Sequence, residues 1–129
     1  MAGTDGASGR QTSSGFLTTH VLDTARGCPA EGLKIELFDL SGAARAKIAE
    51  AVTNADGRTN APILPVDRFK TGQYELVFHA GDYLRDNGLA HGDPLFLDEV
   101  PLRFGMSEND HYHVPLLLSP YGFSTYRGS

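Results

Sequence analysis

Gly72-Gln73-Tyr74-Glu75-Leu76-Val77-Phe78-His79 alternates apolar Tyr74, Leu76 and Phe78 with Gln73, Glu75 and Val77. A period of two marks an extended strand with one buried face, because successive side chains leave a strand on opposite sides. Leu33, Ile35 and Leu37 alternate with Lys34 and Glu36 in the same way. Outward from these two runs, from Phe16 onward, short period-two segments alternate with Gly, Pro, Asp and Asn punctuation. That pattern predicts a small all-β sandwich. Strands are expected at 16–23, 33–40, 45–53, 58–60, 72–79, 96–104, 111–118 and 121–127. A short helix is expected over 80–87, stopped by Gly88 after Asn87. Asp56-Gly57 is a turn signal that leaves Arg58 just beyond a tight reversal. Pro101 and Pro115 fall inside expected strands. Proline cannot donate to a ladder, so both are expected at an edge or a bulge.

The composition narrows the function. At 129 residues and 13.9 kDa the chain suits one domain with its own hydrophobic core. No apolar run is long enough to cross a bilayer, so no membrane role is expected. The formal charge is −5, and the eleven Lys and Arg residues are scattered singly, which offers no basic stripe to nucleic acid. Cys28 is alone, which rules out an intrachain disulfide and a Cys-rich zinc site and fits a reducing compartment. Residues 1–15, MAGTDGASGRQTSSG, cannot bury enough apolar surface to order, so a disordered lead is expected before a domain over 16–129. The lead has no secretory apolar region, and Arg-Gly-Ser is not a peroxisomal Ser-Lys-Leu ending, so a cytoplasmic location is expected.

Five histidines are present: His20, His79, His91, His111 and His113. There is no phosphate loop, HExxH or Ser-His-Asp motif. His20 and His113 sit within apolar strands, where an imidazole needs a partner or solvent. Period two places His111 and His113 on one strand face, continued by Pro115 and Leu117. A His-x-His metal pair with His20 as third ligand is one reading of these residues. No carboxylate or thiol accompanies them, and Arg58 would repel a cation, so no metal is expected. His79 and His91 read as structural or surface residues. The final four residues, Tyr126-Arg127-Gly128-Ser129, follow a dense apolar run with no loose stretch between. Chain ends ordinarily fray. Here the end is expected to be held against the fold, with a hydroxyl, a guanidinium and a carboxylate near two histidines.

Three segments carry a resemblance: LTTHVLDTARGCPA at 17–30, NADGRTNAP at 54–62 and HYHVPLLLSPYGFSTYRGS at 111–129. They resemble the 5-hydroxyisourate hydrolases of the transthyretin-like family, and the likeness extends from Phe16 to Ser129. The Tyr-Arg-Gly-Ser ending is its most specific part, since transthyretin itself lacks it. The resemblance implies two four-stranded sheets with one short helix, assembled as a homotetramer that is a dimer of dimers. It implies sites in the channel between dimers, with His20, Arg58, His113 and Ser129 catalytic and Tyr126, Arg127 and Gly128 binding substrate. It implies no cofactor. The chemistry fits these residue types: opening a cyclic amide-like bond with water needs a base, a cation for the developing oxyanion and groups that orient the ring. A guanidinium fork also suits 5-hydroxyisourate, which is planar, carbonyl-rich and anionic. Which histidine activates water stays open, since coupled imidazoles titrate together. The rivals are a small-molecule carrier on the transthyretin pattern and a non-catalytic sandwich adaptor. Neither needs His20, Arg58 and His113 together with an Arg-Gly-Ser end. The departures from the family pattern are the lead and the bulky stretch around Asp86–Leu97.

Overall fold

A computed structural model describes residues 14–129. Eight strands follow in chain order: β1 (Phe16–Asp23), β2 (Cys28–Pro29), β3 (Lys34–Asp39), β4 (Ala46–Val52), β5 (Gly72–His79), β6 (Glu99–Met106), β7 (His111–Ser119) and β8 (Gly122–Thr125). One α-helix, α1 (Ala80–Asp86), follows β5, and a 3-10 turn covers Val66–Arg68. The strands form two four-stranded sheets, ordered β2-β1-β7-β8 and β4-β3-β5-β6. This is the all-β sandwich that the alternating patterns predict. β1 and β7 run parallel, from Phe16 opposite His111 to Asp23 opposite Leu118. Every other pairing is antiparallel.

The core lies between the sheets. Leu17 and Val21 of β1 and Leu116 and Leu118 of β7 face Ile35 and Leu37 of β3 and Tyr74, Leu76 and Phe78 of β5, all buried. Each such side chain contributes about 1.5–3 kcal/mol on burial. The two polar residues on the inner face of β1 have partners, as burial requires. The Thr19 hydroxyl donates to the Val114 carbonyl, and the Asp23 carboxylate accepts from the Tyr83 hydroxyl and from Arg26. Through Tyr83, α1 is fastened to the end of β1. Gly88, at φ +68°, takes the left-handed conformation that ends the helix, and the Leu89 N–H reaches back to the Leu84 carbonyl.

Several sequence expectations differ in detail. Segment 58–60 is not a strand: Arg58 makes a single bridge to His20. The Asn54 side-chain oxygen accepts from the Asp56 and Arg58 N–H groups, and the Arg58 carbonyl accepts from Asn54, so the turn engages the backbone that a strand would need. The strand expected from 96 begins at Glu99, because Phe96 is an exposed loop residue. The short edge strand β2 carries no periodic signal. Pro101 lies on edge strand β6, as expected. Pro115 lies in interior strand β7, between β1 and β8, rather than at a sheet edge. It is tolerated because the β8 ladder begins one residue later, at Leu116 opposite Thr125, and the Thr125 hydroxyl donates to the Pro115 carbonyl. The missing N–H therefore points where no ladder partner waits.

Of the lead expected over 1–15, residues 1–13 lie outside the described residues. Ser14 and Gly15 are tied down, both donating their N–H groups to the Asn109 side-chain oxygen. Among the described residues no helix is long and apolar enough to cross a membrane.

Candidate active site

Because inward residues alternate with outward ones, β1 turns Thr18 and His20 to the outer face of its sheet, and β7 turns His111 and His113 to the same face. The parallel register sets Thr18 opposite His113 and Phe16 opposite His111. The His20 ring leans across to His113: Nδ1 of His20 lies 2.7 Å from Nε2 of His113, with ring centroids 4.8 Å apart. The other His113 nitrogen, Nδ1, lies 2.7 Å from Thr18 Oγ1, and that hydroxyl is also 2.7 Å from His111 Nε2. Both nitrogens of His113 are thus engaged. Among the described residues His20 Nε2 has no hydrogen-bond partner.

Two irregular segments complete the site. The Asn54–Arg58 turn presents Arg58 beside His20, bridged through the Val21 N–H and the Gly57 carbonyl. On the other side the β8 ladder stops at Thr125, Tyr126 and Arg127 swing away, and Gly128 returns to donate its N–H to the His113 carbonyl at 2.7 Å. Only glycine fits there, since a Cβ on Gly128 would lie 2.7 Å from Cδ2 of His113. The result is a cleft of about 410 Å³ lined by Thr18, His20, Arg58, His111, His113, Tyr126, Gly128 and Ser129.

Of the residues that the sequence brings forward, the structure gathers His20, Arg58, His113, Tyr126, Gly128 and Ser129 around this cleft. Arg127 does not join them. Its guanidinium stacks over the Tyr112 ring at 4.1 Å and reaches Asp110 Oδ2 at 3.3 Å, on the wall of a second, apolar cleft beside β6. Thr18 is an addition: it lies two residues before His20 on the same strand face, so periodicity is the signal that points to it. His79 bonds Glu36, and His91 stacks near Tyr121 on the surface. Among the described residues no group of three or more His, Cys, Asp or Glu side chains is arranged to hold a metal ion.

Burial and the neighbouring charge of Arg58 keep both site histidines neutral. Burial, followed by His20, Arg58 and His111, lowers the pKa of His113 from 6.5 to about 4. Burial, then Arg58, lowers that of His20 as well. Among the described residues Arg58 has no carboxylate partner. Two neutral imidazoles, one with a free ring nitrogen, stand beside an uncompensated cation and a serine. Such a set can take a proton from water and hold an anion.

The sandwich carries this set on the outer face of one sheet. Residues 17–128 match the HIUase/Transthyretin family, and the chain belongs to that family. It is 62% identical over 119 residues to 5-hydroxyisourate hydrolase 2 of Rhizobium meliloti (strain 1021), covering 92% of this chain and 99% of that protein. Among solved structures it resembles an (S)-allantoin synthase, with 52% identity and a TM-score of 0.84; the match takes in 92% of this chain but only 45% of that longer one. It also resembles 5-hydroxyisourate hydrolase of Klebsiella pneumoniae, with 33% identity and a TM-score of 0.74, over 88% of this chain and 99% of that one.

Proposed function

We propose that this chain hydrolyses the cyclic amide-like bond of 5-hydroxyisourate, giving 2-oxo-4-hydroxy-4-carboxy-5-ureidoimidazoline, without a resident metal or cofactor. The observation that carries this reading is the neutral His20–His113 pair set against an unpaired Arg58. In this reading His20 is the base and His113 its relay, supported by the free Nε2 of His20. In the tautomer where His20 donates from Nδ1 to His113, Nε2 of His20 bears a lone pair and takes a proton from water. The hydroxide adds to the carbonyl, and the oxyanion that forms is stabilised by the Arg58 guanidinium. The C–N bond then breaks, and the departing nitrogen receives the proton. Ser129 and Tyr126 orient the ring from the opposite wall. Arg127 acts one step back: pinned on Tyr112 and Asp110, it fixes the segment that delivers Gly128 and Ser129.

The same reading includes a homotetramer, a dimer of dimers, acting in the cytoplasm. The site lies on the outer face of a single sheet, and a second copy laid across that face would close it into a water-poor channel. A carrier of apolar ligands would have no use for an uncompensated guanidinium.

The test is direct. 5-Hydroxyisourate is made by enzymatic oxidation of urate in the cuvette and its decay followed by absorbance. Added protein should speed the decay, and His20→Asn should remove about a hundredfold or more of that rate with circular dichroism unchanged. Decay at the spontaneous rate in the presence of parental protein would overturn the assignment.

A further inference from the structure

The hydrogen bonds do not end at the histidine pair. His113 Nδ1, Thr18 Oγ1 and His111 Nε2 continue the line from His20 through two further contacts of 2.7 Å each. A hydroxyl has one proton, so Thr18 can donate to one imidazole while accepting from the other. His113, neutral, likewise donates from one nitrogen and accepts at the other. The chain of four groups is therefore directional, and it has two directions. In one, His20 donates to His113, His113 to Thr18 and Thr18 to His111. In the other every bond is reversed.

We infer that Thr18 and His111 form the outlet of a proton relay that starts at His20: Thr18 sets the tautomer of His113, and His111 receives the proton taken from water. This rests on the hydrolytic reading above. The step balances. A water O–H bond breaks and its proton joins His20 Nε2, as the Nδ1 proton of His20 passes to His113 Nε2. The Nδ1 proton of His113 passes to Thr18, and the Thr18 hydroxyl proton passes to His111 Nε2. Hydroxide is left in the cleft and an imidazolium at His111, two residues along the strand. When the C–N bond breaks, the same line run backwards returns the proton to the departing nitrogen.

The surroundings favour that destination. Burial disfavours positive charge on His113, and so do His20 from β1, Arg58 from the 54–58 turn and, on its own strand, His111. His111 faces the Phe16 ring, stacked at 4.0 Å, and the Thr18 hydroxyl from β1. The neighbouring Asp110 accepts the His111 backbone N–H through Oδ1 and meets Arg127 through Oδ2. His111 is thus the member of the line farthest from Arg58 in bonded steps. Thr18 and His111 are positioning residues: they act through His113.

The experiment compares Thr18→Val, which keeps the shape and loses the hydroxyl, with Thr18→Ser, which keeps the hydroxyl, and His111→Phe, which keeps the stack on Phe16. Ring nitrogen shifts of 15N-histidine-labelled protein report the His113 tautomer and its titration without any substrate. Steady-state hydrolysis of 5-hydroxyisourate, followed across pH, separates kcat from KM. Thr18→Val and His111→Phe should each lower kcat roughly tenfold with KM unchanged, less than loss of the base itself. Both should move the acid limb of the pH profile, and their combination should cost no more than the worse single change. Thr18→Val should also redistribute the His113 tautomers, while Thr18→Ser should restore both readouts. Parental kcat and tautomers in Thr18→Val would overturn the relay. So would a fall in kcat with tautomers and pH profile unmoved, which would reduce Thr18 to a buttress. If Thr18→Val does not fold, His111→Phe decides by kcat and the acid limb of the pH profile: parental values of both would overturn the relay. A tautomer shift in a protein that never hydrolysed the substrate would sink the proposed function and the proton outlet with it, and would leave only the control of the His113 tautomer by Thr18.

Discussion

The two sheets treat their outer faces in opposite ways. On the β4-β3-β5-β6 sheet every prominent charge has a counterpart. The buried Glu75 carboxylate accepts from Arg45 at 2.6 Å and from Arg103 at 3.1 Å, with Arg45 stacked over Phe38. Glu36 is held between His79 and Lys47, whose hydrogen bonds bring its pKa down to about 2. On the β2-β1-β7-β8 sheet, β1 and β7 turn no carboxylate outward. Their imidazoles bond only to one another and to Thr18, and Arg58 stands unpaired among the described residues. Charges that neutralise one another hold a surface together. Polar groups left without neutralisation keep their interaction energy for a third party. The comparison separates a structural face from a functional one within a single fold.

The sharpest break of the functional face should come from one methyl group. In Gly128→Ala the new Cβ meets the His113 ring at 2.7 Å, and that ring is fastened at both nitrogens. Either the ring turns off its partners or the Tyr126–Ser129 segment lifts from β7. A displacement of this size costs roughly a hundredfold in rate when it falls on a reacting group. The specificity constant, kcat/KM, should drop by about that factor while the melting temperature scarcely moves, since Gly128 lies outside the core. Parental activity in Gly128→Ala would show that His113 need not sit where Gly128 holds it.

Whether a feature is legible in the sequence depends on whether its signal is periodic. The strand faces are legible because Leu17, Val21, Tyr74, Leu76 and Phe78 recur at the spacing that burial demands. The three segments that carry the family resemblance also bring His20, Arg58 and His113 forward, residues that lie far apart in the chain and around one cleft in the fold. What stays hidden depends on where backbone pairing stops. The resemblance has Arg127 bind substrate; in the fold the ladder breaks after Thr125 and its guanidinium lies over Tyr112, outside the cleft around His20 and His113. A proline rule puts Pro115 at an edge or bulge, and no residue pattern announces that an interior strand loses one ladder partner there. Periodicity puts Thr18 on the strand face of His20, but not its role, because a hydroxyl in a strand is ordinary until an imidazole is found on either side of it.

The structural face can be broken independently. Removing one member of a fully buried ion pair costs about 3–5 kcal/mol, but Arg45 and Arg103 are half-exposed or more and can rehydrate. Glu75→Ala should therefore destabilise by only about 1–2 kcal/mol, between the buried and surface limits. Urea denaturation would measure it, and hydrolysis of 5-hydroxyisourate at room temperature should be unchanged. A loss of activity without a loss of stability would mean that the two faces are coupled, and the division between them would fail.

The smallest effect separates the faces by pH. His113 has its pKa lowered in the folded chain, from 6.5 to about 4, so folding excludes a proton that the unfolded chain accepts. Its neutral burial therefore costs nothing above pH 6.5, and stability falls as the pH drops from about 6.5 toward about 4, then levels. Glu36 is also lowered, from 4.5 to about 2, but here the charged form is the favoured one. Its contribution is fully present above pH 4.5 and is lost as the pH falls toward about 2. The functional face thus weakens in the upper window and the structural face in the lower one. Urea midpoints taken from about pH 7 to about pH 3 should decline through both. His113→Gln should flatten the decline between about pH 6.5 and 4 and leave the lower part alone, while Glu36→Gln should do the reverse. If His113→Gln leaves the upper part of that slope as steep as in the parent, His113 is not held neutral by the fold. The imidazole pair would then enter catalysis already able to take up a proton at mild acidity, and activity would fall with pH before stability did.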